Sequence, residues 1–355
     1  MNKAILNRGK IIVLSITVFI FMLFILLVPQ KSVGAVKFGL TVCGEIVIPS
    51  IFPFAFLCIL IYSTDISKIF DKVLAKPMRL LGLTGGIGSV IIMSLIGGYP
   101  VGSKMISLMY NDGIIDNKTA NILLMFCISP GPAFVIVAVG SGMLRSLSAG
   151  VLIFSSCILS SLISIVIICL IMKPRCNDFK RIRAPFSEGI IKSISEATAS
   201  TIQICSFVVI FSCIGAAIKT FLPANISSIL ISVLEVTNGC LFTSKISIYL
   251  VAFIISFSGI AIHFQIFSFC GKLKIDYALF YIGRLLHSFI TVFIMYLLEK
   301  IFPITIDVGS FGEIKKTLEI SATSICSLCL ICMSFVIMCY WILSLKEIEE
   351  KKNAR

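Results

Sequence analysis

Nine long apolar runs restrict what this chain can fold into. They cover approximately residues 11–28, 38–62, 88–110, 119–143, 147–172, 190–218, 248–270, 278–298 and 320–345. A helix needs about 20 apolar residues to cross a bilayer, and each run is close to or above that length. The sequence therefore predicts an all-α polytopic membrane protein, held in a lipid bilayer.

The composition agrees with this class of protein and excludes others. Hydrophobic residues make up 58% of the chain and charged residues only 13%, whereas about a quarter of a soluble domain is charged. The net charge of +13 is spread thinly between the apolar runs, so we predict no nucleic-acid partner. The basic residues instead indicate which loops face the cytoplasm.

The first run and the cysteines each have a second interpretation. The first run follows a basic start and resembles a signal peptide, but it is longer than a signal core and no small-residue cleavage site follows, so we expect an uncleaved span. Most of the fourteen cysteines lie inside apolar runs, where a thiol acts as a small hydrophobe. The Cys326–Cys329 spacing predicts no metal site, because no histidine cluster accompanies it. We expect no cofactor, and the absence of nucleotide-binding and hydrolase motifs predicts that the chain is not an enzyme.

Two of the apolar runs contain helix-breaking residues near their centres. Run 88–110 contains Gly97-Gly98-Tyr99-Pro100-Val101-Gly102, and run 248–270 contains Ser258-Gly259-Ile260-Ala261-Ile262-His263. Glycine and proline at this density break a helix. Each run is interpreted as a re-entrant hairpin of two half-helices, and a kinked spanning helix is the alternative. A re-entrant 88–110 would put the N-terminus, segment 63–87 and the basic loop 173–187 on one side, which the positive-inside rule favours.

The chain also aligns with itself, which predicts an internal repeat. Gly98 falls on Gly259, Lys104 on Gln265 and, more loosely, Glu45 on Glu196. Counting crossings makes the two repeats inverted, an arrangement typical of secondary transporters. The predicted divisions are 1–37 (first helix and loop), 38–146 (first repeat), 147–189 (connecting helix and basic loop), 190–300 (second repeat) and 301–355 (last helix and charged tail). Each repeat contains a helix, a short interfacial helix, a hairpin and another helix.

Several motifs in these segments resemble one family. The run from Gly97 to Lys104 resembles the G-Y-P-x-G-x-K signature of the YlbJ-type sporulation integral membrane proteins. Phe126–Pro132 resembles a following S-G-P segment of the family, although Pro130 here precedes Gly131. Glu235–Gly239 and Arg284–His287 are similar to parts of its second half. The family carries a nucleoside-recognition gate domain, and the layout is similar to that of concentrative nucleoside transporters.

The resemblance implies a function that composition and spacing do not. It implies transport of a small organic anion, dipicolinic acid (dipicolinate), across the outer forespore membrane during sporulation. The alternatives are a non-transporting membrane assembly factor and a nucleoside-type transporter. Other sporulation membrane proteins, or further copies of this chain, are expected partners.

The candidate site residues are the polar and backbone-permissive residues near the two breaks. Those expected to bind substrate are Gly97, Gly98, Tyr99, Pro100, Gly102, Ser103, Lys104, Ser129, Gly131, Asn238, Gly259, Gln265 and Arg284. Lys104 would bind a carboxylate of the substrate or pair with Glu45 or Glu196, because a cation at membrane depth needs an anion. The same two glutamates are candidates for proton coupling. Arg284 would face a carboxylate or extend to the interface.

Overall fold

A computed structural model describes residues 2–80, 83, 87–172 and 183–304. These residues form helices joined by short turns, and no strand occurs among them. The α-helices are α1 (Asn2–Leu27), α2 (Pro29–Val42), α3 (Ile48–Ser63), α4 (Ser67–Leu80), α5 (Ile87–Gly97), α6 (Tyr99–Asn111), α7 (Asn117–Phe126), α8 (Leu147–Met172), α9 (Phe186–Phe221), α10 (Ala224–Leu234), α11 (Val236–Thr243), α12 (Ile248–Phe257), α13 (Gly259–Phe269) and α14 (Tyr277–Ile301). Two π-helical segments, Cys43–Val47 and Ala133–Met143, complete the set. The predicted last span, 320–345, and the cysteines in it lie outside the described residues.

Five helical stretches in the described residues, one of them broken in the middle, are long and apolar enough to cross a membrane. They are Pro29–Ser63, Leu147–Met172, Phe186–Phe221, Ile248–Phe269 and Tyr277–Ile301. Their outer faces carry large exposed apolar side chains, such as Ile171 (70% exposed) and Ile202 (62%). Exposed apolar surface of this extent is unfavourable in water and favourable against lipid tails. The prediction of an all-α polytopic membrane protein is confirmed.

Hydrogen bonds gather several helix termini at one end of the bundle, which we call the first end. The end of α3 is bonded to the start of α9 and to the end of α6. The start of α7 is bonded to the end of α8, and the loop before α14 is bonded to α7. The bonds are Ala184 N–H to Ser63 O (2.9 Å), Tyr62 O–H to Asp112 Oδ2 (2.6 Å), Lys118 Nζ to Met172 O (3.0 Å) and Asn121 Nδ2 to Lys274 O (2.9 Å). Segments 63–71 and 183–189 are therefore neighbours.

The opposite end, the second end, gathers the other termini of the same helices. Lys31 at the start of α2 contacts Thr220 near the end of α9, at 3.5 Å between Nζ and Oγ1. The Tyr249 hydroxyl at the start of α12 donates to the carboxylate of Glu299 near the end of α14. Helices α9 and α14 thus run from the first end to the second, whereas α8 runs the other way.

Two pairs of helices fold back on themselves. Gly98, with φ of +89°, separates α5 from α6. A Cβ atom at Gly102 would lie 3.1 Å from that of Ser94, so residues equally far from Gly98 are neighbours. Helices α10 and α11 fold back in the same way about Glu235, because a Cβ atom at Gly239 would lie 2.5 Å from the carbonyl oxygen of Ser232. The first pair starts from the first end and the second pair from the second end.

Two further stretches are broken but continue across the bundle. Residues 127–131, which include the candidate site residue Ser129, interrupt the helix between α7 and the second π-helical segment. Ser258 and Gly259, with φ of +80° and +68°, interrupt α12–α13. Helix α12 packs on α14 and α13 packs on α6, instead of on each other.

The structure therefore differs from the predicted hairpin at 248–270. The second fold-back lies one element earlier, at Glu235, and α10, which lies between the predicted spans 190–218 and 248–270, is its first arm. The physical reason is that glycine permits a break without determining its direction. Because α13 packs on α6, the chain continues away from α12 after the break. At Glu235 an extended conformation (φ −134°, ψ 124°) reverses the chain without glycine.

Candidate solute-binding cavity

The tip of each fold-back lies against the break of one crossing helix. A Cβ atom at Gly131 would lie 3.7 Å from the Cα atom of Gly98. A Cβ atom at Gly259 would lie 3.1 Å from the backbone nitrogen of Val236. Gly98 and Gly259 both have positive φ, so these two contacts need glycine for conformation as well as for space. All four interruptions of the helices therefore meet in the interior.

A cavity of about 130 Å³ lies between these interruptions. Its wall is mostly apolar, with side chains from the second π-helical segment, Ala133–Met143, and from α3 and α9. Its polar side chains are Ser50, Tyr99, Glu235, Thr237 and Gln265. The starts of α6, α11, α13 and the second π-helical segment border it through Pro100, Val236, Ala261 and Ala133. The first N–H groups of a helix lack partners within the helix and carry partial positive charge. Pro100 has no N–H and the start of α11 donates to Glu235, so the positive ends of α6, α13 and the second π-helical segment are the ones open to this space.

Glu235 is an acidic side chain in the cavity wall. Its carboxylate accepts hydrogen bonds from Thr237 N–H (2.9 Å), Asn238 N–H (2.8 Å) and Asn238 Nδ2 (2.8 Å). Glu235 thus caps the start of α11 and opposes the positive end of that helix. Sequence reasoning recognised the 235–239 segment but did not select Glu235; the signal was an acid in an apolar segment directly before a short helix.

Gln265 and Tyr99 are predicted site residues that do line the cavity. Gln265 is buried, and its carboxamide has no hydrogen-bond partner within the described residues, which leaves two donors and an acceptor for a solute. The Tyr99 ring borders the cavity, and its hydroxyl donates to the carbonyl of Ile255 on α12. Tyr99 therefore also holds the first fold-back against the second broken crossing.

Lys104 is paired with one of the two glutamates that the sequence offers as partners. Its Nζ atom lies 2.7 Å from Oε2 of Glu196 on α9. The pair lies beside a smaller cavity that shares Pro100 and Ile204 with the larger one. Lys104 is thus an ion-pair partner rather than part of the wall of the main cavity. Glu45 is exposed on the first π-helical segment.

Arg284 is fully buried but does not line the main cavity. Its Nη1 atom donates to Ile128 O (2.8 Å), and its Nη2 atom donates to Ser258 Oγ (2.7 Å) and to the carbonyl of Ser256. All these acceptors belong to the two breaks. Arg284 thus links the two broken crossings.

The remaining predicted residues divide into two groups. Gly97, Gly98, Pro100 and Gly131 line the main cavity. Gly102, Ser103, Ser129, Asn238 and Gly259 do not. Of this second group, Gly102 lets the two arms of the fold-back approach closely, and Ser103 donates to the carbonyl of Pro100. The buried hydroxyl of Ser129 has no hydrogen-bond partner within the described part of the chain. Sequence reasoning thus found the turns of the site better than its polar groups.

Membrane-length apolar helices around an interior cavity define a polytopic α-helical membrane protein. The sequence is 25% identical to the sporulation integral membrane protein YlbJ of Bacillus subtilis (strain 168), over an alignment of 348 residues that covers 84% of this chain and 85% of that protein. This similarity, over most of both chains, supports the resemblance to YlbJ-type membrane proteins that the motifs indicate. No family model matches it. No solved structure matches it either.

Proposed function

We propose that this protein is a membrane transporter for a small organic anion and acts in sporulation. The observation that carries the proposal is the cavity at which two fold-backs and two broken crossings meet. Half-helix termini directed at an interior cavity are the usual means by which secondary transporters bind a solute at the middle of the bilayer. The sporulation role rests on the similarity to YlbJ.

The proposal includes a pair of inverted, re-entrant repeats. Helices α3 to α8 form the first unit and α9 to α14 the second, each with a long helix, a fold-back, a broken crossing and a further long helix. The fold-backs enter from opposite ends of the bundle, which an inverted relationship requires. Alternating access would then be a movement of one unit against the other.

An anion suits the electrostatics of the cavity better than a cation does. The starts of α6, α13 and the second π-helical segment present donors and positive dipole ends. Glu235 opposes this charge, but its carboxylate is already held by three N–H donors at the start of α11. The apolar wall, with Tyr99 and Phe54, suits a planar ring. Dipicolinate, which the family resemblance implies, is the first compound to test, and the outer forespore membrane is the proposed location.

Uptake of labelled dipicolinate into proteoliposomes tests this proposal. We expect saturable uptake that unlabelled dipicolinate inhibits and nucleosides do not. Gln265→Leu should weaken uptake affinity about tenfold, because one or two hydrogen bonds of roughly 1 kcal/mol are lost. Gln30→Leu is the matched control, since Gln30 is exposed near the start of α2 and outside the cavity wall.

Glu235→Gln separates an anion from a neutral substrate. Removing a negative charge from the wall should preserve or raise affinity for an anion, by up to about tenfold. A nucleoside that donates hydrogen bonds to the carboxylate would instead lose affinity. Absent uptake by inserted protein, or inhibition by nucleosides alone, would contradict the anion proposal.

A further inference from the structure

The end of α12 lies in the interior, and its carbonyl groups are satisfied by side chains. The last carbonyls of a helix have no partner within the helix. Ile255 O accepts from the Tyr99 hydroxyl, Ser256 O from Arg284, and Phe257 O from His263 Nε2 (2.8 Å). The three donors come from α6, α14 and α13.

Arg284 also reaches the other broken crossing. Its Nη1 atom donates to Ile128 O, in the break that follows α7. Ile128 lies two residues after Phe126, the last residue of α7, and the carbonyl end of α12 carries roughly half a negative charge. A single guanidinium group therefore joins that end of α12 to the backbone that follows α7.

No carboxylate among the described residues forms an ion pair with Arg284. A buried charge without compensation is very unfavourable. Carbonyl oxygens and the Ser258 hydroxyl supply the compensation. In transporters with broken helices, carbonyls at half-helix ends coordinate a coupling cation, and here the guanidinium group lies among them.

We infer that Arg284 is the resident cation of a carbonyl site that joins the two broken crossings, so the wild-type protein needs no sodium ion at this place. Arg284 is thus a positioning residue for both breaks. The inference rests on the contacts of Arg284 and holds whichever solute the cavity binds.

Thermal unfolding of the purified full chain in detergent tests the inference without any substrate. The wild-type Tm should be equal in sodium chloride and in N-methyl-D-glucamine chloride of the same ionic strength. Arg284→Ala should lower the Tm by about 5–10 °C, since a multiply bonded buried charge is lost. Low-millimolar guanidinium, or sodium, should recover part of that loss, because each can bind the vacated carbonyls.

Three controls make the result specific. Lys300→Ala removes a cation near the far end of α14 and should change neither the Tm nor its dependence on ions. Arg284→Lys keeps the charge with fewer donors, so its Tm loss should be smaller than that of Arg284→Ala. Ser258→Ala removes one acceptor and should leave the wild-type independence from sodium intact.

Two results would overturn the inference. One is a wild-type Tm that rises with sodium specifically. The other is an Arg284→Ala protein that is as stable as wild type or that neither ion restores. If Arg284→Ala does not fold, binding of radioactive sodium is measured with Arg284→Lys and with the wild-type protein instead. The inference requires that neither protein binds more sodium than protein-free detergent does. A failure of dipicolinate uptake alone would contradict the proposed function and leave this inference unaffected.

Discussion

Lys104 forms an ion pair with Glu196 on α9. Its ammonium lies 2.7 Å from Glu196, and both side chains are partly exposed. We expect Lys104→Met to lower the free energy of unfolding by about 1 kcal/mol, because the contact is lost and the carboxylate keeps its charge. The double variant Lys104→Met/Glu196→Gln should recover part of the loss in thermal unfolding. A double variant less stable than Lys104→Met would contradict this role, and Glu45→Gln is the neutral control.

Gly98 is a residue that the turn itself requires. Its φ of +89° and ψ of 168° lie in a region that is essentially restricted to glycine. A Cβ atom there would also lie 3.4 Å from the backbone nitrogen of Gly131. We expect Gly98→Ala to lower the free energy of unfolding by roughly 1–3 kcal/mol.

Gly215→Ala is the matched control for Gly98→Ala. Gly215 lies inside α9, and a Cβ atom there would contact nothing within 4 Å. Alanine favours a helix interior over glycine by about 1 kcal/mol, so this variant should be as stable as wild type or more stable. If Gly98→Ala and Gly215→Ala change the free energy of unfolding equally in chemical unfolding, the turn at Gly98 does not require glycine.

The sequence could identify turn residues because glycine and proline have local consequences. Gly97, Gly98, Pro100 and Gly131 were selected for that reason, and they line the cavity. Glu235 was missed because a capping acid has the same appearance in sequence as any exposed glutamate. For Arg284 the sequence predicts either a contact with a carboxylate or extension to the interface. Carbonyl acceptors leave no pattern in the sequence, so neither interpretation includes the contacts with Ile128 and Ser256.

At the scale of elements, the sequence determines helices better than the direction of the chain after a break. Apolar length predicted the long helices from α8 to α14 to within a few residues, since bilayer thickness fixes that length. A helix interruption can reverse the chain, as at Gly98, or redirect it, as at Ser258 and Gly259. The difference arises from contacts such as those of α13 with α6, which join residues far apart in sequence.

Labelling of introduced cysteines checks the direction of these elements. In a variant without the native cysteines, Lys68→Cys and Glu188→Cys should react with a membrane-impermeant reagent from the same, cytoplasmic side. Their segments are neighbours through the Ala184–Ser63 hydrogen bond. Lys245→Cys, between α11 and α12, should react from the other side only. Reaction of Lys68→Cys and Glu188→Cys from opposite sides would contradict the re-entrant first fold-back, and an unmodified cysteine-free protein controls for background.

At the scale of the whole molecule, the two proposed repeats are joined reciprocally. Near the breaks, Tyr99 of the first unit bonds to Ile255 of the second, and Arg284 of the second unit bonds to Ile128 of the first. At the first end, Asn121 accepts from Asp276 N–H (2.8 Å) and donates to Lys274 O. A movement of one unit against the other can therefore break the contacts near the breaks, the contacts at the first end, or both.

A double-mutant cycle tests whether the two groups are independent. Tyr99→Phe and Arg284→Lys both act on the end of α12, so their effects on the free energy of unfolding should be coupled by about 0.5–3 kcal/mol. Asn121→Ala and Arg284→Lys share no partner and should be additive within about 0.5 kcal/mol. The measurement is equilibrium unfolding of the single and double variants in one detergent. Strong coupling of Asn121 to Arg284 would mean that the units separate along their whole interface at once, whereas additivity would allow the centre to open while the first end stays closed.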